Sequence, residues 1–220
     1  MGKLKLLFCF TAQCNKILLT KILGLTIILL SLIVKLPQIN KIWINQSAKS
    51  VNIFSVLANL YSVTIKGSYC FLQSFPISAY GEQIVIGCQN IILTVLVLHY
   101  NMSTKVSTAF VGLYSAILYI LVNDFIPFQL LMYFQILTGP VNFVGRMIQA
   151  YTIYRDKSTG QLSGYTYSIQ FFMAASRIFT SIEETKDLIL ICNYSLSTFS
   201  LALILVLFLY YNKNNKSKVN

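Results

Sequence analysis

The chain has 220 residues, of which 56% are hydrophobic and only 10% are charged, and its mean hydropathy is +0.68. Soluble domains carry about 25% charged residues, so this chain has too few charges to cover a water-facing surface. The composition argues against a soluble enzyme or a nucleic-acid-binding protein, although the net charge is +11. At about 20 residues per membrane-spanning helix, the length accommodates seven spans.

Apolar runs between polar or proline-containing breaks predict an all-α membrane protein with seven transmembrane helices. The predicted spans are residues 18–36, 52–73, 82–100, 106–123, 128–150, 164–183 and 188–211. Residues 1–17 are predicted to form an N-terminal interfacial segment, because the apolar stretch after Lys3 and Lys5 is too short for a signal peptide. Residues 212–220 form a polar tail.

The charge distribution predicts an orientation. An odd number of spans places the two termini on opposite sides, and the side with the C-terminus receives a net +9 while the other side is neutral. Positive residues favour the cytosolic side, which predicts a cytosolic C-terminus and a lumenal N-terminus, although the N-terminal lysines oppose this. Lys216 and Lys218 have the spacing of a di-lysine retrieval signal, which binds the COPI coat and retains proteins in the endoplasmic-reticulum membrane. The alternative is a solvated basic tail.

The chain contains an internal repeat. An offset of 111 residues aligns Gln38 with Gln149 and Lys66 with Arg177 without a gap. Polar residues recur every seven positions, or two helical turns, on both of the spans concerned. These are Asn52, Asn59, Lys66 and Gln73 on the second span and Ser163, Gln170, Arg177 and Glu184 on the sixth. The pattern predicts two parallel three-helix units, residues 18–100 and 128–211, joined by a linker helix at 106–123.

Two cations lie inside predicted spans at equivalent depth. A Lys or Arg at mid-bilayer costs about 2.5–3.5 kcal/mol on insertion scales, so such residues usually face a bundle interior. If Lys66 and Arg177 line a shared cavity, two positive charges would suit an anion such as a phosphate; the alternative is that each side chain snorkels to the interface. The candidate hydrogen-bond partners of such a ligand are Gln38, Asn59, Gln149 and Gln170.

The stretch Val34-Lys35-Leu36-Pro37-Gln38-Ile39 resembles the PQ-loop motif of the superfamily that contains SWEET sugar transporters, cystinosin and KDEL receptors. Further segments, in order and spacing, resemble the mannose-P-dolichol utilization defect 1 family. They are Phe75-Pro76-Ile77-Ser78-Ala79-Tyr80-Gly81-Glu82, His99-Tyr100, Thr159-Gly160-Gln161-Leu162-Ser163 and Arg177-Ile178-Phe179-Thr180-Ser181-Ile182-Glu183-Glu184-Thr185. The second repeat departs from the motif, since Ile148 precedes Gln149 where Pro37 precedes Gln38, and Lys66 matches no family position. Pro37 is expected to shape the first helix.

The resemblance implies an endoplasmic-reticulum membrane protein required for lumenal use of dolichol-phosphate-mannose and dolichol-phosphate-glucose in N-glycan and GPI-anchor assembly. It leaves open whether the protein translocates the lipid or presents it to other proteins. Two alternatives remain: a transporter of a small soluble sugar or amino acid, and a sorting receptor of the KDEL-receptor kind. No catalytic residue, cofactor or metal is expected, because His99 is the only histidine and the five cysteines lack metal-binding spacing.

Overall fold

The computed structural model describes residues 2–48, 51, 53–123, 125–156 and 164–216, and of residues 2–14, 156 and 212–216 it describes the backbone alone. These residues form helices and no strand. The helices are α1 (Gly2–Val34), α2 (Leu36–Asn45), α3 (Ile53–Leu72), α4 (Ile77–Asn101), α5 (Thr104–Val122), α6 (Phe128–Asp156), α7 (Gly164–Thr180) and α8 (Leu188–Lys216). A π-helical turn, Ser181–Thr185, continues α7.

The eight helices make seven membrane-spanning segments, because α1 and α2 are two parts of one span. Residues Asn15–Asn45, Ile77–Asn101, Thr104–Val122 and Leu188–Tyr211 are each long and apolar enough to cross a membrane. The other three segments, α3, α6 and α7, each contain a cation that lines the cavity described below: Lys66, Arg146 and Arg177. The predicted all-α, seven-helix fold is therefore confirmed. Of the predicted retrieval signal, Lys216 ends α8 and Lys218 lies outside the described residues.

Two three-helix units have the same arrangement. In the first unit, α4 packs against both α1 and α3; in the second, α8 packs against both α6 and α7. Helix α5 joins the units and packs on α3 and α4. Small residues allow close packing within the first unit: a Cβ on Gly24 would lie 2.9 Å from the carbonyl oxygen of Ser78.

The first span is broken at Lys35, between α1 and α2. Pro37, in the first turn of α2, lacks a backbone donor and so weakens the hydrogen-bond ladder there. The Gln89 amide of α4 compensates for the break: its Nε2 donates to the carbonyls of Ser31 (3.2 Å) and Leu32 (2.7 Å), and its Oε1 accepts from the Lys35 N–H (3.3 Å). One side chain thus satisfies both halves of the lost backbone bond between Lys35 and Ser31.

This break lies level with the middle of α4, because Gln89, which bonds it, is the midpoint of that 25-residue helix. The prediction that the first span ends at residue 36 is therefore wrong, since the span continues through α2 to Asn45. The charged Lys35 ended the apolar run in the sequence, but a side-chain amide, rather than water, satisfies the backbone there.

The second unit has its proline elsewhere. Pro140 lies inside α6, and the Nδ2 of Asn193 on α8 donates to the nearby carbonyl of Gln135 (2.9 Å). Helix α6 then continues unbroken past Ile148 to Asp156, beyond the predicted end at residue 150. The two units therefore share their packing but differ in where the first helix is weakened.

Candidate functional site

A cavity of about 190 Å³ lies between the two units. Its lining comes from α3, α4, α6, α7 and α8 and from the first span up to its break. The polar and charged lining residues are Lys35, Asn59, Ser62, Lys66, Glu82, Gln83, Asn142, Arg146, Gln170, Arg177, Tyr194 and Ser197. The site is therefore a polar chamber inside an otherwise apolar helical bundle, at the interface where parallel-repeat transporters hold their ligands.

The cavity is strongly positive. Four cations line it, Lys35, Lys66, Arg146 and Arg177, against the single carboxylate of Glu82. The cations form two pairs at the 111-residue offset, because Lys35 corresponds to Arg146 as Lys66 corresponds to Arg177. Each unit thus contributes two cations from equivalent positions, and the net charge of the lining is +3.

Of the four cations that line the cavity, Arg177 alone has a carboxylate of the described residues within salt-bridge distance. Its Nε donates to Glu82 Oε1 (2.9 Å), a terminal nitrogen bonds Glu82 Oε2, and the other donates to the Ser78 carbonyl (2.8 Å). Gln83 and Tyr194 also donate to Glu82 Oε1, at 2.9 and 3.5 Å. Arg177 is 2% exposed. This fork-shaped pair joins α7 of the second unit to α4 of the first and neutralises both charges.

Lys66 lacks such a partner. Its Nζ lies 4.3 Å from the centroid of the Tyr194 ring, a cation–π contact, and it interacts electrostatically with Glu82, Arg146 and Arg177. Among the described residues, no carboxylate is within salt-bridge distance of it. The residue equivalent to Glu82 in the second unit is Asn193, which is neutral.

Arg146 and Lys35 are also without a counterion among the described residues. One terminal nitrogen of Arg146 donates to the Ser197 carbonyl and to the Ser200 hydroxyl, both at 3.2 Å. These acceptors are neutral and fix the side chain without cancelling its charge. Lys35 lines the opposite unit's side of the cavity at the break between α1 and α2. Three cations therefore face the cavity uncompensated.

The structure brings together four of the residues that the sequence nominated: Asn59, Lys66, Gln170 and Arg177. Gln38 and Gln149 do not line the cavity. Gln38 lies three residues beyond the break at Lys35, and Gln149 lies three residues beyond Arg146. The exposed Gln149 accepts a hydrogen bond from the Tyr167 hydroxyl (3.1 Å). Pro37 lies in the first turn of α2, where it contributes to the break.

The sequence reasoning did not nominate Lys35, Glu82 and Arg146 as cavity residues; they lie near the ends of predicted spans, and the charge count assigned them to the two aqueous sides. With these three inside, the net charge is +7 on the predicted cytosolic side, +1 on the predicted lumenal side and +3 in the cavity. The repeat offset could have found two of them, because it aligns Lys35 with Arg146 as accurately as Lys66 with Arg177.

Contacts between the units close the predicted lumenal side of the cavity. Lys21 pairs with Glu184 (3.3 Å), and Glu184 also accepts from the Ser78 hydroxyl (3.1 Å). Tyr69 donates to Asp187 (2.6 Å). An apolar cluster on the same side draws on both units and on α5; it consists of Ile65, Tyr69, Cys70, Tyr80, Leu121, Leu131, Leu190 and Tyr194.

The predicted cytosolic side is packed differently. One apolar cluster, around Ile42 and Leu93, lies within the first unit, and another, around Ile153 and Ile204, lies within the second. Among the described residues, each of these clusters stays in its own unit. The units are thus held together on one side of the cavity and packed separately on the other.

Comparisons with known proteins agree with this architecture. Residues 19–79 match the PQ loop repeat family. Solute carrier family 66 member 3 of Homo sapiens is 23% identical over 160 residues, which are 73% of this chain and 78% of that protein. A solved eukaryotic SWEET transporter has the same fold, with a TM-score of 0.69, 15% sequence identity and coverage of 89% of this chain and 99% of that chain.

The fold and the repeat define the class. The chain is a multi-pass membrane protein in which residues 19–79 match a PQ loop repeat, its fold is that of a SWEET transporter, and its sequence is similar to that of a solute carrier. The residues matched to the repeat, 19–79, include Lys35, Pro37 and Lys66, so two of the uncompensated cations lie within the matched segment.

Proposed function

We propose that the chain binds a polyprenyl-phosphate sugar in the central cavity and promotes its presentation or translocation to the lumenal side of the endoplasmic-reticulum membrane. The proposed ligands are dolichol-phosphate-mannose and dolichol-phosphate-glucose, the donors implied by the resemblance to the mannose-P-dolichol utilization defect 1 family. The observation that carries the proposal is the set of three cations that face the cavity without a carboxylate. The proposed role is binding and transport, without catalysis.

The charge of the cavity supports an anionic ligand. Removing a cation from water without a partner costs several kcal/mol, and Lys66 and Arg146 also repel each other electrostatically. A bound anion would offset both terms. Phosphate is a suitable anion, because the Arg guanidinium binds its oxygens in a planar fork and Lys supplies a point charge.

We assign the phosphate to Lys66 and Arg146, with Lys35 at the far wall. Asn59 and Gln170, which are equivalent in the repeat and line the cavity, are the proposed hydrogen-bond partners of phosphate or sugar oxygens. Arg177 is, like Lys66, a phosphate candidate from sequence, but Glu82 and Ser78 already bond its guanidinium. Its proposed role is to hold the two units together on the lumenal side.

The proposal includes a location in the endoplasmic-reticulum membrane with a cytosolic C-terminus. The charge difference of +7 against +1 supports a cytosolic C-terminus. With that orientation, Lys216 and Lys218 would be available to the COPI coat and would retain the protein in the endoplasmic reticulum. A C-terminal tag that blocks these lysines is expected to redistribute the protein to later compartments.

A second candidate function is transport of a small water-soluble solute. The likeness to a SWEET transporter and to a solute carrier favours it, and the amides of Asn59, Asn142 and Gln170 would suit a sugar. A neutral sugar, however, leaves the three cations uncompensated. A sorting receptor for a peptide signal would instead move out of the endoplasmic reticulum when its ligand is present.

Depletion of the protein tests the main proposal. Mannosyl transfer from dolichol-phosphate-mannose to a lumenal acceptor would be measured in intact and in detergent-opened microsomes. We expect transfer to fall in the intact vesicles alone and to be restored by the wild-type chain. The control variant is Lys105→Gln, which should also restore transfer, because Lys105 is an exposed basic residue outside the cavity. Restoration by Lys66→Gln at equal protein level, or a defect that persists after opening, contradicts the proposal.

A further inference from the structure

The free cations outnumber the charge of the proposed donor. A polyprenyl-phosphate sugar is a phosphodiester with one negative charge, and with it bound, two of the three uncompensated charges of Lys35, Lys66 and Arg146 would remain. The Arg177–Glu82 pair adds nothing to this balance, because its charges cancel. A ligand with two negative charges would leave only one cation uncompensated.

The number of N–H donors without a hydrogen-bond acceptor also favours a doubly charged phosphate ligand. Only one terminal nitrogen of Arg146 is bonded, so its other N–H groups are available, and the ammonium of Lys66 contacts only an aromatic face among the described residues. A phosphodiester offers two non-bridging oxygens, whereas a phosphomonoester offers three and carries about −1.5 to −2 charge at neutral pH. The donor set therefore suits the monoester better.

We infer that the cavity binds a phosphomonoester dianion more tightly than a phosphodiester, so that the polyprenyl monophosphate left after sugar transfer is a second ligand of the same site. This inference rests on the proposed function. In the transfer, the acceptor hydroxyl replaces the phosphate at the anomeric carbon, and the carrier leaves as the monoester. The protein would then take up the spent carrier in exchange for the donor lipid.

Equilibrium binding to the purified full-length protein in lipid nanodiscs tests the inference. The probes are polyprenyl monophosphate, its methyl phosphodiester and polyprenyl-phosphate mannose, each competing with labelled polyprenyl monophosphate. We expect the monoester to bind at least about tenfold more tightly than either diester, because one more charge faces the same cations. In Lys66→Gln the ratio should fall, because two free cations instead of three face the ligand, whereas Lys105→Gln should retain the wild-type ratio.

The other probes separate the remaining outcomes. Equal or tighter binding of polyprenyl-phosphate mannose overturns the inference but leaves the proposed function standing. A methyl diester that binds as tightly as the monoester overturns it as well, because size rather than charge would then decide. If no lipid binds to the folded protein, the inference and the proposed function both fail. If inorganic phosphate competes at the same concentration as the lipid, the result supports a site for phosphate dianions and identifies free phosphate as the ligand of that site.

Discussion

The two three-helix units differ at a pair of equivalent positions that decides which of two equivalent cations has a counterion. The first unit has Glu82 on α4, which pairs with Arg177 of the second unit. The second unit has Asn193 at the position equivalent to Glu82, facing a first unit whose equivalent cation is Lys66. Asn193 bonds the Gln135 carbonyl and Thr138 instead. Arg177 thus has a structural role, whereas Lys66 remains available to a ligand.

A second difference concerns the weakened helix of each unit. The Gln89 amide forms hydrogen bonds with the broken backbone around Lys35. The equivalent residue of the second unit, Ser200, instead accepts a hydrogen bond from the Arg146 side chain. Lys35 is therefore presented from a break in the backbone and Arg146 from a continuous helix. The units thus have cations at two pairs of equivalent positions, but the groups that support those cations differ.

The largest expected effect is on the structural pair. Glu82→Gln would leave Arg177 buried without a counterion, at a cost of about 3–5 kcal/mol in the free energy of unfolding. Adding Arg177→Gln to it removes the stranded charge and should recover most of that loss. Thermal or denaturant unfolding in detergent measures both. Full stability of the Glu82→Gln protein would show that the pair does not hold the units together.

The next largest effect concerns the free cation of the second unit. Arg146→Gln should weaken binding of polyprenyl-phosphate mannose by about tenfold or more, since a charge facing the ligand is lost at low effective dielectric. Arg146→Lys keeps the charge and should bind within a few-fold of the wild type. The dissociation constants in nanodiscs provide the measurement. If both variants bind equally weakly, the bonds to Ser197 and Ser200 matter more than the charge.

A smaller effect is expected at the break in the first span. Gln89→Leu removes three hydrogen bonds and leaves the Ser31 carbonyl and the Lys35 N–H without their partner, which should reduce stability by about 1–3 kcal/mol. Gln38→Leu, outside the cavity, serves as the control and should change stability by about 0.5 kcal/mol or less. Equal unfolding midpoints for the two variants would mean that the Gln89 amide does not support the break.

The smallest effect is predicted for the ion pair between Lys16 and Glu183. Their charged atoms are 3.7 Å apart, and the side chains are 62% and 33% exposed. Such pairs contribute about 0–1 kcal/mol, so Lys16→Gln should hardly change the unfolding midpoint. A loss comparable to that of Glu82→Gln would place the main bond between the units at the membrane surface instead of at Arg177.

The fold could be predicted from the sequence because both the hydropathy and the polar positions of the repeat can be read along single helices. It also predicted Asn59, Lys66, Gln170 and Arg177 as cavity residues, since a polar stripe on an apolar helix must face inward. Lys35 was misplaced because a charge ended the apolar run, while Gln89, 54 residues away, allows the span to continue. The pairing of Glu82 with Arg177 depends on packing between helices, which the offset of 111 does not encode.

The most direct test of the central claim is the affinity of Lys66→Gln for polyprenyl-phosphate mannose, measured beside Lys105→Gln at matched thermal stability. If the cation without a carboxylate binds the phosphate, Lys66→Gln should lose about tenfold or more in affinity while Lys105→Gln binds like the wild type. Wild-type affinity in a folded Lys66→Gln protein would contradict the claim that the unpaired charge of this cavity binds the ligand.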